Sequence, residues 1–246
     1  MPTHAVKIVI LGRDGVLNQY REAHVAAPEE WVPVPGALEA VARINHAGWH
    51  TVVATNQSGI GRGMIDMSTI NAVHAQMHRQ LQVQGGRIDA VFFCPHTPEA
   101  GCDCRKPKPG LLLDIGRRYG TDLRQVPVVG DTARDLIAAQ AAGCEPHLVL
   151  SGRARGLHGD ALQALVAQVP QARWCWTGFF PRLRSPFMTA RCVGPTSSGV
   201  LSRSCCNTWM RWCATWAGTT TCGWMPHHLR PGANASLCAG AFCNPC

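Results

Sequence analysis

The stretch Ile8-Val-Ile-Leu-Gly-Arg-Asp-Gly-Val-Leu-Asn18 decides the fold. A mostly β-branched run from Val6 to Leu11 passes directly into a small polar loop, Gly12 to Gly15. Branched side chains favour a pleated strand and glycines let the chain turn, so the run reads as a strand that ends in a loop. In a parallel sheet, groups in such a loop stand at the carboxyl end of the strand, where open α/β sheets hold their ligands.

Outward from this strand, Val6 to Leu150 alternates strand-like and helix-like segments, the pattern of a parallel sheet covered by helices. Strands are expected at Val6 to Leu11, His50 to Thr55, Ile88 to Cys94, Val126 to Gly130 and His147 to Leu150. Pro35-Gly36 opens a helix that runs to Ala47 and stops at Gly48. Ser68 is expected to cap a second, whose Ile70, Val73, Met77 and Leu81 fall on one face. A third follows Pro109-Gly110 with Leu111, Leu112 and Ile115 inward, and a fourth runs from about Ala133 to Ala142. The expectation is a Rossmann-like α/β domain in residues 1–153, built on a five-stranded parallel sheet.

Residues 154–246 read differently. Leu157 to Val169 suits one more helix, but from about Trp174 periodicity is lost. Six of the eight Trp and nine of the thirteen Cys fall beyond residue 153, with no Lys and Asp160 as the sole acid. Within residues 1–153 Arg outnumbers Lys twelve to three and Ala and Gly abound, as in a G+C-rich gene. Such a gene translated out of frame from about residue 170 would give this Arg, Trp, Cys, Ser and Pro mixture. An irregular, unfolded tail is therefore expected; the rival reading is a cysteine-rich metal or disulfide module.

Charge follows the same division. The net charge is +8, yet residues 1–153 hold fifteen Lys and Arg against fourteen Asp and Glu, so the basicity belongs to the tail. It has no stripe, helix or reading motif, which argues against a nucleic-acid partner. The amino terminus lacks a signal pattern and no apolar run is long enough to span a membrane, so a cytoplasmic, monomeric protein is expected.

Cys94-Pro-His-Thr-Pro-Glu-Ala-Gly-Cys-Asp-Cys104 offers Cys94, His96, Cys102 and Cys104 as Cys-x-His-x5-Cys-x-Cys. Three thiolates and an imidazole make a closed tetrahedral zinc site, and closed sites are structural. Zinc would order a Pro- and Gly-rich loop too poor in apolar residues to order itself. Cys144 reads as a small core residue, and His74 with His78 as an exposed polar helix face.

The run ending in Arg13-Asp14-Gly15 resembles the first motif of the haloacid-dehalogenase (HAD) superfamily, hydrophobic strand-Asp-x-Asp-Gly. There the first Asp attacks phosphorus and the second serves as general acid and base. The resemblance places Asp14 in the second role and Gly12 at the position of the nucleophile, which is missing. Thr55-Asn-Gln-Ser-Gly-Ile-Gly-Arg-Gly63 resembles the second motif, in which Thr55, Asn56, Gln57 and Ser58 would hold the phosphoryl group and substrate. Arg105-Lys-Pro-Lys-Pro-Gly110 resembles the third, with Lys106 on the phosphoryl group and Arg105 recognising substrate. Val128-Val-Gly-Asp-Thr-Ala-Arg-Asp135 resembles the fourth, which assigns Mg²⁺ to Asp14 and Asp131. With the cysteine-rich insertion ahead of Arg105, the order is similar to that of the heptose bisphosphate phosphatase family, in the branch that includes histidinol-phosphate phosphatases. The resemblance implies Mg²⁺-dependent removal of the 7-phosphate from a small phosphorylated sugar, on the route to lipopolysaccharide. The alternatives are a histidinol-phosphate phosphatase and a non-catalytic sugar-phosphate binder. Loss of one member of a cooperating catalytic set costs about 10⁴ to 10⁶ in turnover, so negligible activity is expected with Gly12 in place.

Overall fold

A computed structural model describes residues 6–175 of the chain. Six parallel strands form one sheet: β1 (Ile8–Leu11), β2 (His50–Asn56), β3 (Ala90–Cys94), β4 (Pro127–Gly130), β5 (Glu145–Val149) and β6 (Arg173–Cys175). Their order is β3-β2-β1-β4-β5-β6. The chain thus builds to one side of β1 and then crosses to the other, which leaves a crevice beyond the carboxyl ends of β1 and β4.

The helices are α1 (Ala37–His46), the short α2 (Ser58–Gly61), α3 (Met67–Val83), α4 (Gly110–Tyr119), α5 (Ala133–Ala141) and α6 (Gly159–Ala167). Alternation along β1 sends Val9 and Leu11 to one face and Ile8 and Ile10 to the other. On the first face they pack with Leu38, Val41 and Ile44 of α1 and Val73, Met77 and Leu81 of α3. On the second they meet Leu111, Leu112 and Ile115 of α4, Ala138 and Ala139 of α5, and Cys144. Burial pushes the Cys144 thiol up to about 12, as befits an inert core residue.

The five expected strands are present, and a sixth is added. Leu162 of α6 and Val169 close a small core over Leu136, Leu148 and Ala154, which carries the chain to β6 along the β5 edge. The sheet therefore runs past residue 153, the boundary suggested by the sequence. A three-residue strand without alternating pattern gives no periodic signal, which is why it is invisible in the sequence. The cap of α3 is Asp66, whose carboxylate accepts from the Thr69 backbone N–H at 2.8 Å; Ser68 lies inside the helix and donates its hydroxyl to the same carboxylate. His74, expected on an exposed face, is buried. No helix among the described residues is long and apolar enough to cross a membrane. The tail from residue 176 onward, expected to be irregular and unfolded, lies outside the described residues.

Candidate active site

The loop after β1 is fixed by the sheet itself. The Gly12 N–H donates to the Val129 carbonyl at 2.8 Å, extending the β1–β4 pairing by one residue. The Arg13 carbonyl then accepts from the Leu17 and Asn18 N–H groups, at 2.8 and 3.1 Å, and folds the loop back on itself. Gly12 has no left-handed backbone, and a Cβ there would meet only the Val16 Cγ2 methyl closely, at 2.9 Å. The position can thus accept a side chain with a small shift of Val16.

Arg13 points inward and is 1% exposed. Its Nη2 lies 3.0 Å from each oxygen of Asp14, and its Nε 3.2 Å from Oδ1. Its Nη1 is 3.4 Å from His74 Nε2. A guanidinium only donates, so His74 accepts here and carries its own proton on Nδ1. Burial, reinforced by the Arg13 charge, lowers the His74 pKa to about 4 and keeps the ring neutral. Asp14 also accepts from Asn18 Nδ2 and Gln57 Nε2, each at 3.0 Å. Dehydration would raise its pKa, but the Arg13 charge and these hydrogen bonds hold it below the usual carboxylate range.

The end of β2 and the start of α2 contribute Thr55, Asn56, Gln57 and Ser58, all at the pocket wall. The buried Gln57 amide donates to Thr55 Oγ1 at 2.9 Å as well as to Asp14, so its donor end ties two site residues together. Asn56 exchanges hydrogen bonds with the Lys106 backbone, donating to its carbonyl at 3.0 Å and accepting from its N–H at 3.1 Å. That pair joins the second and third loops. Lys106 Nζ donates to the Ala54 carbonyl at 2.8 Å and lies 2.5 Å from Asp135 Oδ1. Burial opposes ionisation of Asp135, yet Lys106 and the Thr132 hydroxyl hold its pKa low.

Asp131, at the end of β4, is 4% exposed and accepts from the Arg153 backbone N–H at 2.7 Å. Burial first, and the Asp135 charge second, push its pKa up to about 7. Gly15 and Gly152 have φ of +81° and +54°, and a Cβ on either would collide with Asp131 Oδ2. Both conformation and space therefore demand glycine on the two sides of this carboxylate. A buried acid short of compensating positive charge is suited to a hard divalent cation.

Gly12, Asp14, Thr55, Asn56, Gln57, Ser58, Arg105, Lys106 and Asp131 thus line one pocket of about 170 Å³. The sequence alone assigns no role to Asn18, His74 or Arg153, nor to Asp135 inside its own fourth motif. The last could have been suspected from its spacing to Asp131; the others depend on tertiary approach.

Beside the pocket, Cys94, His96, Cys102 and Cys104 bring four donor atoms within 4.8 Å of one another. The Cys94–Cys102 and Cys102–Cys104 sulfurs are 3.6 and 3.4 Å apart, and His96 Nδ1 lies 3.7 and 3.3 Å from Cys94 and Cys104. Sulfurs held about 2.3 Å from a tetrahedral zinc would be about 3.8 Å apart, so the donor set fits that ion with little movement. Arg105 Nη1 donates to the His96 carbonyl at 3.1 Å, which ties the cluster to the pocket.

A parallel sheet with this order, a carboxylate loop after β1 and an acid after β4 define the HAD-type phosphatase class, and a HAD-hydrolase-like family model matches residues 103–170. The chain is 55% identical to the D-glycero-beta-D-manno-heptose-1,7-bisphosphate 7-phosphatase of Bordetella bronchiseptica over 150 residues, 61% of this chain and 84% of that protein. It is 47% identical to the Pseudomonas aeruginosa protein of the same name over 146 residues, 59% of this chain and 82% of that one. A crystal structure of the Bordetella bronchiseptica D,D-heptose 1,7-bisphosphate phosphatase complexed with magnesium and phosphate superposes with a TM-score of 0.64 at 49% identity, covering 69% of this chain and 92% of that one. The chain belongs to the D-glycero-beta-D-manno-heptose-1,7-bisphosphate 7-phosphatase family.

Proposed function

We propose that this chain is built as a magnesium-dependent, cytoplasmic, monomeric phosphatase for the 7-phosphate of D-glycero-D-manno-heptose 1,7-bisphosphate, on the route to lipopolysaccharide, and that Gly12 suppresses its turnover. The observation that carries this is Gly12 itself. It stands in the pocket with its backbone anchored to β4, beside Asp14, Thr55, Lys106 and Asp131, and has no carboxylate.

Thr55 and the backbone N–H groups after β2 would hold phosphoryl oxygens, with Lys106 supplying charge. Magnesium, held by Asp131 and the Asp14 loop, would neutralise the remaining phosphoryl charge. Asp14 is an ionised carboxylate gripped by Arg13, Asn18 and Gln57, so it can take a proton from water but has none to give. The chain therefore keeps the base for releasing phosphate from an aspartyl intermediate and lacks the nucleophile that would form one. Zinc at Cys94, His96, Cys102 and Cys104 would hold the loop that carries Arg105 and Lys106. Similarity to the named heptose phosphatases supports the heptose substrate over histidinol phosphate.

The intact phosphate grip around a missing nucleophile also favours a second reading, a sugar-phosphate binder without turnover. Phosphate release from the bisphosphate by the unaltered chain and by Gly12→Asp, with calorimetric binding of the same sugar, tests both. We expect binding in both chains and release only in Gly12→Asp. Rapid release by the unaltered chain would overturn the proposed suppression.

A further inference from the structure

The pocket is lined by six cationic side chains, and most are already engaged. Arg13 is ion-paired with Asp14, and Lys106, ion-paired with Asp135, is already assigned to the reacting phosphate. Arg21 pairs with Glu30 at 3.2 Å, and Arg105 donates to the His96 carbonyl. Among the described residues, Arg134 and Arg153 have no carboxylate within ion-pair distance. They differ in how they are held. Arg134 projects exposed from the first turn of α5. Arg153 lies with its guanidinium carbon 4.5 Å from the centroid of the Tyr20 ring, which also lines the pocket.

The backbone beneath Arg153 is fixed to the catalytic centre. Its N–H donates to Asp131 Oδ2 at 2.7 Å, the Ser151 hydroxyl donates to the Gly15 carbonyl at 2.6 Å, and Ala154 next to it is fully buried. An exposed guanidinium that is stacked on a ring and rooted on the proposed cation-binding carboxylate is pre-organised, and its donor fork meets no acceptor among the described residues. Such a fork matches phosphate oxygens in a two-point contact. The substrate named for the relatives carries two phosphates, and a phosphate held at Thr55 and Lys106 leaves the other at the pocket rim.

We infer that Arg153, positioned by Tyr20, is the specificity residue that receives the second, non-reacting phosphate of a sugar bisphosphate. This rests on the substrate proposed above. The suppressed turnover of the unaltered chain allows both ligands to be titrated intact. The test is calorimetry of the full chain with magnesium, using heptose 1,7-bisphosphate and heptose 7-phosphate as probes.

Arg153→Met should weaken binding of the bisphosphate by roughly 10- to 100-fold, the size of a charge-assisted hydrogen bond, and leave the 7-phosphate within about threefold. Tyr20→Leu should weaken the bisphosphate in the same sense and by less. Equal losses for both ligands, or no loss, would overturn the inference, as would an unaltered chain that binds the bisphosphate no more tightly than the 7-phosphate. If the unaltered chain bound neither sugar, the proposed substrate itself would fall, and this inference with it.

Discussion

Two neighbouring regions are built from the same kinds of loop at the ends of parallel strands, and one is complete where the other has a gap. At Cys94 to Cys104 all four donor side chains converge within a few ångströms. After β1, the backbone, the buried supports and the buried acid Asp131 are all in place around a residue with no side chain. The contrast shows that what shapes this fold and what performs its chemistry reside in different atoms. A position 12 without a side chain leaves the sheet pairing and the packing on both faces of the sheet untouched, whereas the cysteine loop has few apolar residues to fall back on.

The sharpest way to break this contrast is to fill the gap. Gly12→Asp should raise the rate of phosphate release by about 10⁴ to 10⁶, read as kcat/KM for the bisphosphate. The added Cβ presses only on a Val16 methyl, so the cost in stability should not exceed the roughly 1–3 kcal/mol of modest overpacking, read from urea melts. A fully folded Gly12→Asp chain that stayed inactive would mean that the pocket lacks more than one group.

The complete region is tested in the opposite direction. Cys104→Ser should reduce bound zinc in the purified protein from roughly one ion per chain to near none, because a tetrahedral site that loses a thiolate loses its closed shell. Metal analysis reads this directly, and binding of sugar phosphate should weaken as Arg105 loses its anchor at His96. Full zinc occupancy in the variant would sink the idea that these four residues are the ligands.

A third perturbation sits between the two regions. Lys106 and Asp135 are about 9% and 10% exposed and lie 2.5 Å apart. Asp135→Ala would strand a buried ammonium and remove the capping partner of Thr132, at a cost of about 3–5 kcal/mol in denaturant unfolding. Asp135→Asn, which keeps the oxygen facing Lys106, should cost less.

How much of this is legible in the sequence follows from how local each feature is. The strands β1 to β5 announce themselves through branched apolar runs, and the metal-type cluster lies within a single loop, so both are legible. The strand-to-loop pattern alone puts Gly12 and Asp14 at the carboxyl end of β1, where both line the pocket, while their roles come only from the resemblance to the HAD first motif. Arg13 is the counterexample. A charged residue after a strand reads as solvated, and its burial depends on His74, 61 positions later, arriving on α3. Asp131 is similar: its raised pKa comes from burial between Gly15 and Gly152, which are far apart in sequence. The Ser68 cap misleads because Asp66, two positions earlier, competes for the same N–H groups and wins as the stronger acceptor.

The smallest effect concerns this buried His74, which supports the gapped region from beneath. Its pKa is about 4 in the folded protein, against about 6.5 for an unperturbed ring. Between these values the unfolded chain binds a proton that the folded one refuses, so stability is complete above about pH 6.5, falls as pH drops towards 4, and then levels off. The full loss is roughly 3 kcal/mol, because each pH interval of one between the two values is worth about 1.36 kcal/mol. His74→Gln, which retains an oxygen acceptor for Arg13, should flatten that part of the curve in urea melts taken from pH 7.5 to 5. His147, whose pKa burial also lowers, and Asp131, which titrates in the opposite sense, are present in both chains and cancel in the difference. Parallel curves for parent and variant would mean that His74 takes up a proton in the native state as readily as in the unfolded chain. The Arg13 contact would then be repulsive, and the tight hold on Asp14 would need another source.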